Sequence, residues 1–465
     1  MKTTPFTATE CAAAFSVGEI SAREIAQAAL ERISLHNPDL NAFIEITAGR
    51  AIAEADALDA ARMRGDRIPP LAAVPYAVKN LLDVKGVTTL AGARLHARHP
   101  AARRDAVLIE KMRDAGGVLV GTLNMDAYAY GFTTENTHYG ATRNPHDTAR
   151  SAGGSSGGSG AAVAAGMVPI ALGSDTNGSI RVPSSLCGIF GLKPTFCRLS
   201  RTGSHPFVPS LDHLGPFATT AEDLSLAYDV MQGVDADDHA CAQKPPAQTM
   251  PELERGIDGL RIARLSGYFD DHAEADARWA ASTAAKALGC MEEVDLQGVA
   301  QARAAAYLIT ASEGGALYLD ELRDHLEEFE PLSRERLIAG SLIPVVWYQQ
   351  AQRYRQLYLQ RVLKLFDEYD LLIAPSTPVT APLLWQKTIQ VNGRALPTRP
   401  NMGLLTQPIS FIGLPVAAVP FWTGSGMPIG VQLIAAPWRE DVCLRAAYML
   451  EKMGIAECRV GGMKK

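Results

Sequence analysis

Little in this sequence marks it for nucleic acid, membrane, metal or redox work. Aromatic residues make up only 7% of the chain and are not interleaved with basic clusters. The formal net charge of −6 leaves no electrostatic footprint for a nucleic acid or an anionic membrane. No stretch of about 18 apolar residues runs free of charge, which argues against a membrane span. The opening MKTTPFTATE has no basic segment leading into an apolar one, so no secretory signal is expected and the chain is read as cytoplasmic. Its seven cysteines are odd in number, scattered and without a CxxC pair, as reduced thiols are. The ten histidines lack ligand spacing. His138, His146, His205 and His213 stand near motif loops, where they are candidates for supporting roles only. No metal and no cofactor are expected.

What is present describes an ordinary globular protein: 47% hydrophobic and 20% charged residues. Apolar residues recur at helical spacing from Ser21 to Ile33, and Ser21 with Glu24 fits a capping box. A second alanine-rich helix is expected over 47–63, and a third over 104–115, ended by Gly116-Gly117. A short buried strand, GVLVGTLN (117–124), follows directly. This alternation predicts an α/β architecture. Further helices are expected around 273–289, 300–323 and 351–366, and a surface connection over 233–258.

Lys79 lies inside an apolar run, LAAVPYAVKNLLDV, where an ammonium is costly to bury. It is either a lysine snorkelling from a strand end or a desolvated base with a lowered pKa. The polar and aromatic loop that begins near Met125 carries Tyr128, Tyr130, Thr133, Thr134 and Asn136, which could line a pocket. Most of the chemistry is concentrated between Ser151 and Ser179. There SAGGSSGGSG and SDTNGS flank a small-apolar run. No lysine follows the glycines, as a phosphate loop would require. Gly153–Gly157 matches G-x-S-x-G in form, but RNPHDTAR before it cannot be the hydrophobic strand of a nucleophile elbow. Ser179 follows Asn177-Gly178, a pair suited to a tight turn with positive φ, and backbone N–H groups of such a turn can converge on one oxygen.

The run GGSSGGSGAAVAAGMVPIALGSDTNGSIRVPSSLCGIFGLKPT closely resembles the amidase signature family. The likeness extends to VPYAVKN, SLDHLGPFATTAEDL, YDLLIAPSTP and GLPVAAVPF…GMPIGVQLI. It implies one α/β/α domain over 1–465, a large mixed sheet covered by helices on both faces. The signature core would span about 70–225, and the N-terminal helices (1–65) would offer a docking face. The resemblance further implies a Ser–cisSer–Lys triad: Ser179 as nucleophile, Ser155 as bridging serine and Lys79 as base. The oxyanion site would be the backbone of Thr176, Asn177, Gly178 and Ser179. Asn177 departs from the family's usual glycine, and its side chain would narrow or polarise the site. Within the family the chain is similar to A subunits of tRNA-dependent amidotransferases and to members acting on carboxybiuret in s-triazine (cyanuric acid) degradation. Matched to those A subunits, Arg355 takes the place of the arginine that holds the substrate's carboxylate, and Gly403 that of the aspartate that holds its ammonium. Arg355, Tyr128, Thr133 and Asn177 are therefore the expected substrate contacts. The expected substrate is a small carboxylated urea-like amide such as 1-carboxybiuret. The alternatives are a broad small-amide amidase and the glutaminase component of a tRNA-dependent amidotransferase. The resemblance also implies an oligomer with a small subunit like the amidotransferase C subunit, and no nucleic-acid or membrane partner.

Overall fold

In the middle of the sheet, successive residues of a strand are buried alike although their side chains point to opposite faces. This holds for all six residues of Ile170–Asp175 and all eight of Pro428–Ala435. Only a sheet covered on both faces produces that pattern. The computed structural model describes residues 7–460, so residues 1–6 of the expected docking region and 461–465 of the expected domain lie outside it.

The sheet has eleven strands. In chain order they are β1 (Phe43–Ile46), β2 (Pro75–Lys79), β3 (Val118–Leu123), β4 (Ile170–Asp175), β5 (Phe190–Lys193) and β6 (His213–Ala218), followed by β7 (Ile262–Leu265), β8 (Glu292–Val294), β9 (Leu371–Pro375), β10 (Val416–Trp422) and β11 (Pro428–Ala435). Their spatial order is β1-β3-β2-β4-β6-β5-β10-β11-β9-β7-β8. β2 runs parallel to both β3 and β4, and β7 parallel to β8 and β9. The central strands β4, β6, β5, β10, β11 and β9 pair antiparallel, so the sheet is mixed.

The expected helices form, with shifted ends. The first runs Ala22–Leu40, longer than its periodic stretch. Its capping box is present: Glu24 N–H donates to Ser21 Oγ (3.1 Å) and Ser21 N–H to the Glu24 carboxylate (2.9 Å). The helix expected over 104–115 is Val107–Asp114. Gly116 ends it with φ +91°, and a Cβ there would stand 2.7 Å from the Ala72 backbone. At the N-terminus, the Ala8 and Thr9 N–H groups donate to the Asp223 carboxylate (2.7 and 3.0 Å), tying helix Ala8–Ser16 to helix Ala221–Met231. No described helix is long and apolar enough to cross a membrane.

Parallel β2 and β4 are neighbours, which brings Lys79 and Asp175 to the same end of the strands. Between them in sequence, the glycine-rich segment enters helix Gly157–Ala164, whose residues are all buried. Small side chains are needed there because the backbones are close. A Cβ at Gly158 would lie 2.5 Å from the Asn124 backbone.

Candidate active site

Lys79 is the last residue of β2 and is fully buried. Its Nζ donates to Ser155 Oγ at 2.7 Å and to Ser174 Oγ at 2.8 Å. Burial lowers its pKa to about 7, against the opposing pull of the Asp126, Asp212 and Asp175 carboxylates. Of the two sequence readings, the structure selects the buried amine over the snorkelling one. Ser174 gave no separate signal in the sequence. It reaches the amine because its strand position places its hydroxyl beside the end of β2.

Ser155 is itself fully buried, and the Gly154–Ser155 peptide bond is cis. The segment is held from several sides. Asp126 N–H donates to the Ser155 carbonyl (3.1 Å), Gly157 N–H to Thr134 Oγ1 (3.0 Å), and Ser156 Oγ to the Ser174 carbonyl (3.2 Å). Asp126 also accepts the Thr133 and Thr134 N–H groups (3.2 and 2.8 Å) and pairs with Arg399 (3.2 Å). Thus part of the polar loop expected to line a pocket braces the Ser155 segment.

β4 delivers the second turn, Thr176–Ser179. Its tight point is Gly178, at φ +140°, where a Cβ would meet Thr406 Oγ1 at 2.1 Å. Of the Asn177-Gly178 pair, only Gly178 takes the positive φ. Thr406 Oγ1 donates to the Asn177 carbonyl at 2.7 Å, and Thr176 Oγ1 donates to Asp212 at 2.6 Å. Among the described residues, no acceptor pairs with the backbone N–H groups of Asn177, Gly178 or Ser179. The next one, on Ile180, donates to the Asp175 carboxylate (3.3 Å). Below the turn Arg181, fully buried, makes a bidentate pair with Asp175 at 3.0 Å for each nitrogen. It also donates to Thr406 O (3.1 Å), Gln432 Oε1 (2.6 Å) and Ser410 Oγ. The guanidinium holds the Asp175 pKa well below the usual carboxylate range despite its burial. A buried pair with every donor employed is an anchor, and Arg181 has nothing left for a ligand.

Ser179 opens onto a cavity with about 350 Å³ of space not filled by atoms. Thr176 and Asn177 line it from the turn, Tyr130 and Phe132 from the polar loop, and Phe207 from the loop before β6. Helix Val299–Leu317 contributes Tyr307 and Thr310, helix Pro331–Ser341 contributes Arg336, and Gln407 completes the lining. No acidic residue is among them. Arg336 donates to the Tyr130 carbonyl (2.6 Å) and sits 3.8 Å over the Tyr130 ring. It has no carboxylate partner among the described residues, and burial lowers its pKa.

Three expected contacts do not line this cavity. Arg355 does not line the cavity: its guanidinium donates to the Ser210 carbonyl (2.9 Å) and lies over the Phe196 ring. The cation in the wall is Arg336, one helix earlier in the chain. Tyr128 is packed against Tyr318 and Phe329, with centroids 4.8 and 5.4 Å away. Thr133 donates to Glu135 (3.0 Å) and accepts from Arg399 (2.9 Å) beneath the site. Asn177 does line the cavity. At Gly403 a Cβ would stand 2.3 Å from the Phe132 ring, so an aromatic side chain occupies the space a larger residue there would need. Among the described residues no group of three His, Cys, Asp or Glu side chains could hold a metal ion.

Known proteins resemble the chain along nearly its whole length. The model of the amidase family matches residues 24–444. AtzE, a subunit of the 1-carboxybiuret hydrolase of Pseudomonas sp. (strain ADP), is 57% identical over 95% of this chain and 97% of its own length. The A subunit of glutamyl-tRNA(Gln) amidotransferase from Chloroflexus aggregans is 37% identical over 95% and 94%. A solved structure of an s-triazine catabolic enzyme, described with a vestigial protein complex, superposes with a TM-score of 0.97 at 56% identity, covering 97% of this chain and 100% of that one. The corresponding A subunit from Thermotoga maritima does so with a TM-score of 0.80 at 29% identity, over 96% and 94%.

Proposed function

The chain belongs to the amidase signature family of hydrolases, and from that premise we propose that it cleaves a C–N bond of a small carboxylated, urea-like amide, 1-carboxybiuret, with release of ammonia. One juxtaposition carries the reading. Ser179 shares one cavity wall with a single cation, Arg336, and with no acid among the described residues, while Lys79 is hydrogen-bonded to Ser155 where both are buried. The 57% identity to a 1-carboxybiuret hydrolase subunit supports the choice of substrate.

In this mechanism neutral Lys79 takes the Ser155 proton, and Ser155 takes the proton of Ser179 as Ser179 Oγ attacks the carbonyl carbon. Charge developing on the carbonyl oxygen meets the backbone N–H groups of the 176–179 turn. Three of them, on Asn177, Gly178 and Ser179, are free of protein acceptors among the described residues. The protons return through Ser155 to the leaving nitrogen, which departs as ammonia. Water, deprotonated by the same relay, then cleaves the acyl-enzyme. Arg336 receives the substrate's carboxylate, orienting the opposite end toward Ser179. A charge-assisted bond of this kind contributes about 1.5–3 kcal/mol.

The test is ammonia release by the purified protein from 1-carboxybiuret, biuret and glutamine. The carboxylated substrate should lead; glutamine turnover equal to or above it would sink the assignment. A glutaminase would need an acid for the α-ammonium. The cavity offers none, and Phe132 fills the space beside Gly403. Pairing with a small subunit like the amidotransferase C subunit is part of the same proposal, tested by co-purification.

A further inference from the structure

Asn177 places a polar group in the cavity that the proposed proton relay does not use. The residue is 7% exposed and lines the cavity together with Ser179 and Arg336. Its carboxamide is oriented from one side: Nδ2 donates to Thr310 Oγ1 at 2.9 Å. Its backbone carbonyl is already taken by Thr406 Oγ1. The remaining atom, Oδ1, is buried and has no hydrogen-bond donor among the described residues. A buried acceptor without a partner is unfavourable and rare in folded proteins. Its residue stands two positions before Ser179 and lines the cavity that a bound molecule would occupy. The charged group of that wall, Arg336, is committed to Tyr130 through Nη2 and offers donors rather than acceptors. The cavity is thus built with complementary polarity, a donor group for an anion and an acceptor for an N–H.

Resting on the carboxylated-amide reading above, we infer that Asn177 Oδ1 accepts a hydrogen bond from an N–H of the substrate, and that this contact selects ureido carboxylates over their methylene isosteres. A ureido compound carries an N–H beside the carbonyl that Ser179 attacks, where a simple amide carries CH₂. Binding a CH₂ there would leave Oδ1 desolvated and unpaired. Sites that hydrogen-bond a substrate N–H discriminate strongly against the analogue lacking it, for this reason.

The test uses two simple probes, ureidoacetate and succinamate. They share a carboxylate and a terminal amide and differ by N–H against CH₂. Their Kd values are measured by calorimetry on Ser179→Ala protein, so no turnover intervenes. Ureidoacetate should bind at least about tenfold tighter, well within the discrimination such contacts provide. Adding Asn177→Gly should bring the two within about twofold. Adding Asn177→Asp, which keeps an acceptor at the same place, should weaken both and preserve the ratio. A ratio unchanged by Asn177→Gly, or no preference to begin with, overturns the inference. Arg336→Met separates it from the reading beneath. If both affinities survive that change, the carboxylate assignment fails while the N–H preference still stands on the ratio. Failure of both probes to bind at millimolar concentration overturns both.

Discussion

Lys79 Nζ lies 2.7 Å from Ser155 Oγ at a site without solvent exposure, and burial brings its pKa down to about 7. The sign of the pH dependence follows. The amine can take a proton only when neutral, so kcat/KM should rise with pH through about 7 and then level. Asp126 is the foremost of the carboxylates that resist the lowering. Asp126→Asn removes that charge, leaving Arg399 with Glu135 and Thr133, and the loss of a nearby carboxylate disfavours the ammonium. The rising limb should move to lower pH. A limb that moved up, or an activity falling as pH rises through 7, would contradict Lys79 as the base.

Replacing Ser179 or Lys79 with alanine should lower kcat by about 10³-fold or more, as loss of a nucleophile or its base does in serine hydrolases. Ser155→Ala should cost a similar factor, because the amine would lose the hydroxyl through which it acts. A burst of ammonia equal to the enzyme concentration, present in the wild type and absent in Ser179→Ala, would report the acyl-enzyme. Retained turnover in Ser179→Ala refutes the triad.

The helices, the strand Val118–Leu123 and the glycine turns were legible because each depends on neighbours in sequence. Ser21 and Glu24 cap their helix within one turn, and Gly116 closes its helix against Ala72. Lys79 was legible as an anomaly, a cation inside an apolar run. Its local pattern left the fate open and only the family resemblance pointed to a base, because the hydroxyls of Ser155 and Ser174 reach it from 76 and 95 residues away. Arg336 was missed for the same reason. SRERLIAG carries two arginines, and the pattern does not say which of them meets the cavity. Arg334 turns to Glu327, while Arg336 reaches Tyr130, 206 residues away. Arg355 shares the arginine-on-a-helix pattern, but its helix directs it to Ser210 and Phe196.

Arg181 bears on stability. With its five hydrogen bonds gone, Arg181→Met would leave the buried Asp175 carboxylate without its guanidinium partner, held by the Ile180 N–H and Ser410 Oγ donors. Removing one partner of such a pair costs about 3–5 kcal/mol. Lysine should not rescue it, since a single ammonium cannot supply the bidentate fork. Denaturation midpoints of Arg181→Met and Arg181→Lys would check this. A change below about 1 kcal/mol in either would show that the pair does not anchor the turn.

Arg336 and Arg355 can be told apart by kinetics. If Arg336 receives the substrate's carboxylate, Arg336→Met removes a charge-assisted contact of about 1.5–3 kcal/mol, a factor of roughly 10–100 in binding. Because the carboxylate lies away from the bond being broken, the loss should fall mainly on KM, with kcat changed less. Arg355→Met should leave KM close to wild type. Its guanidinium is spent on the Ser210 carbonyl and the Phe196 ring, so any cost should appear in thermal stability. A neutral amide lacking the carboxylate provides the control. Its kcat/KM should be nearly indifferent to Arg336→Met, because there is no anion for the guanidinium to hold. Equal losses on charged and neutral substrates would mean that Arg336 supports the wall through Tyr130 and does not bind the carboxylate.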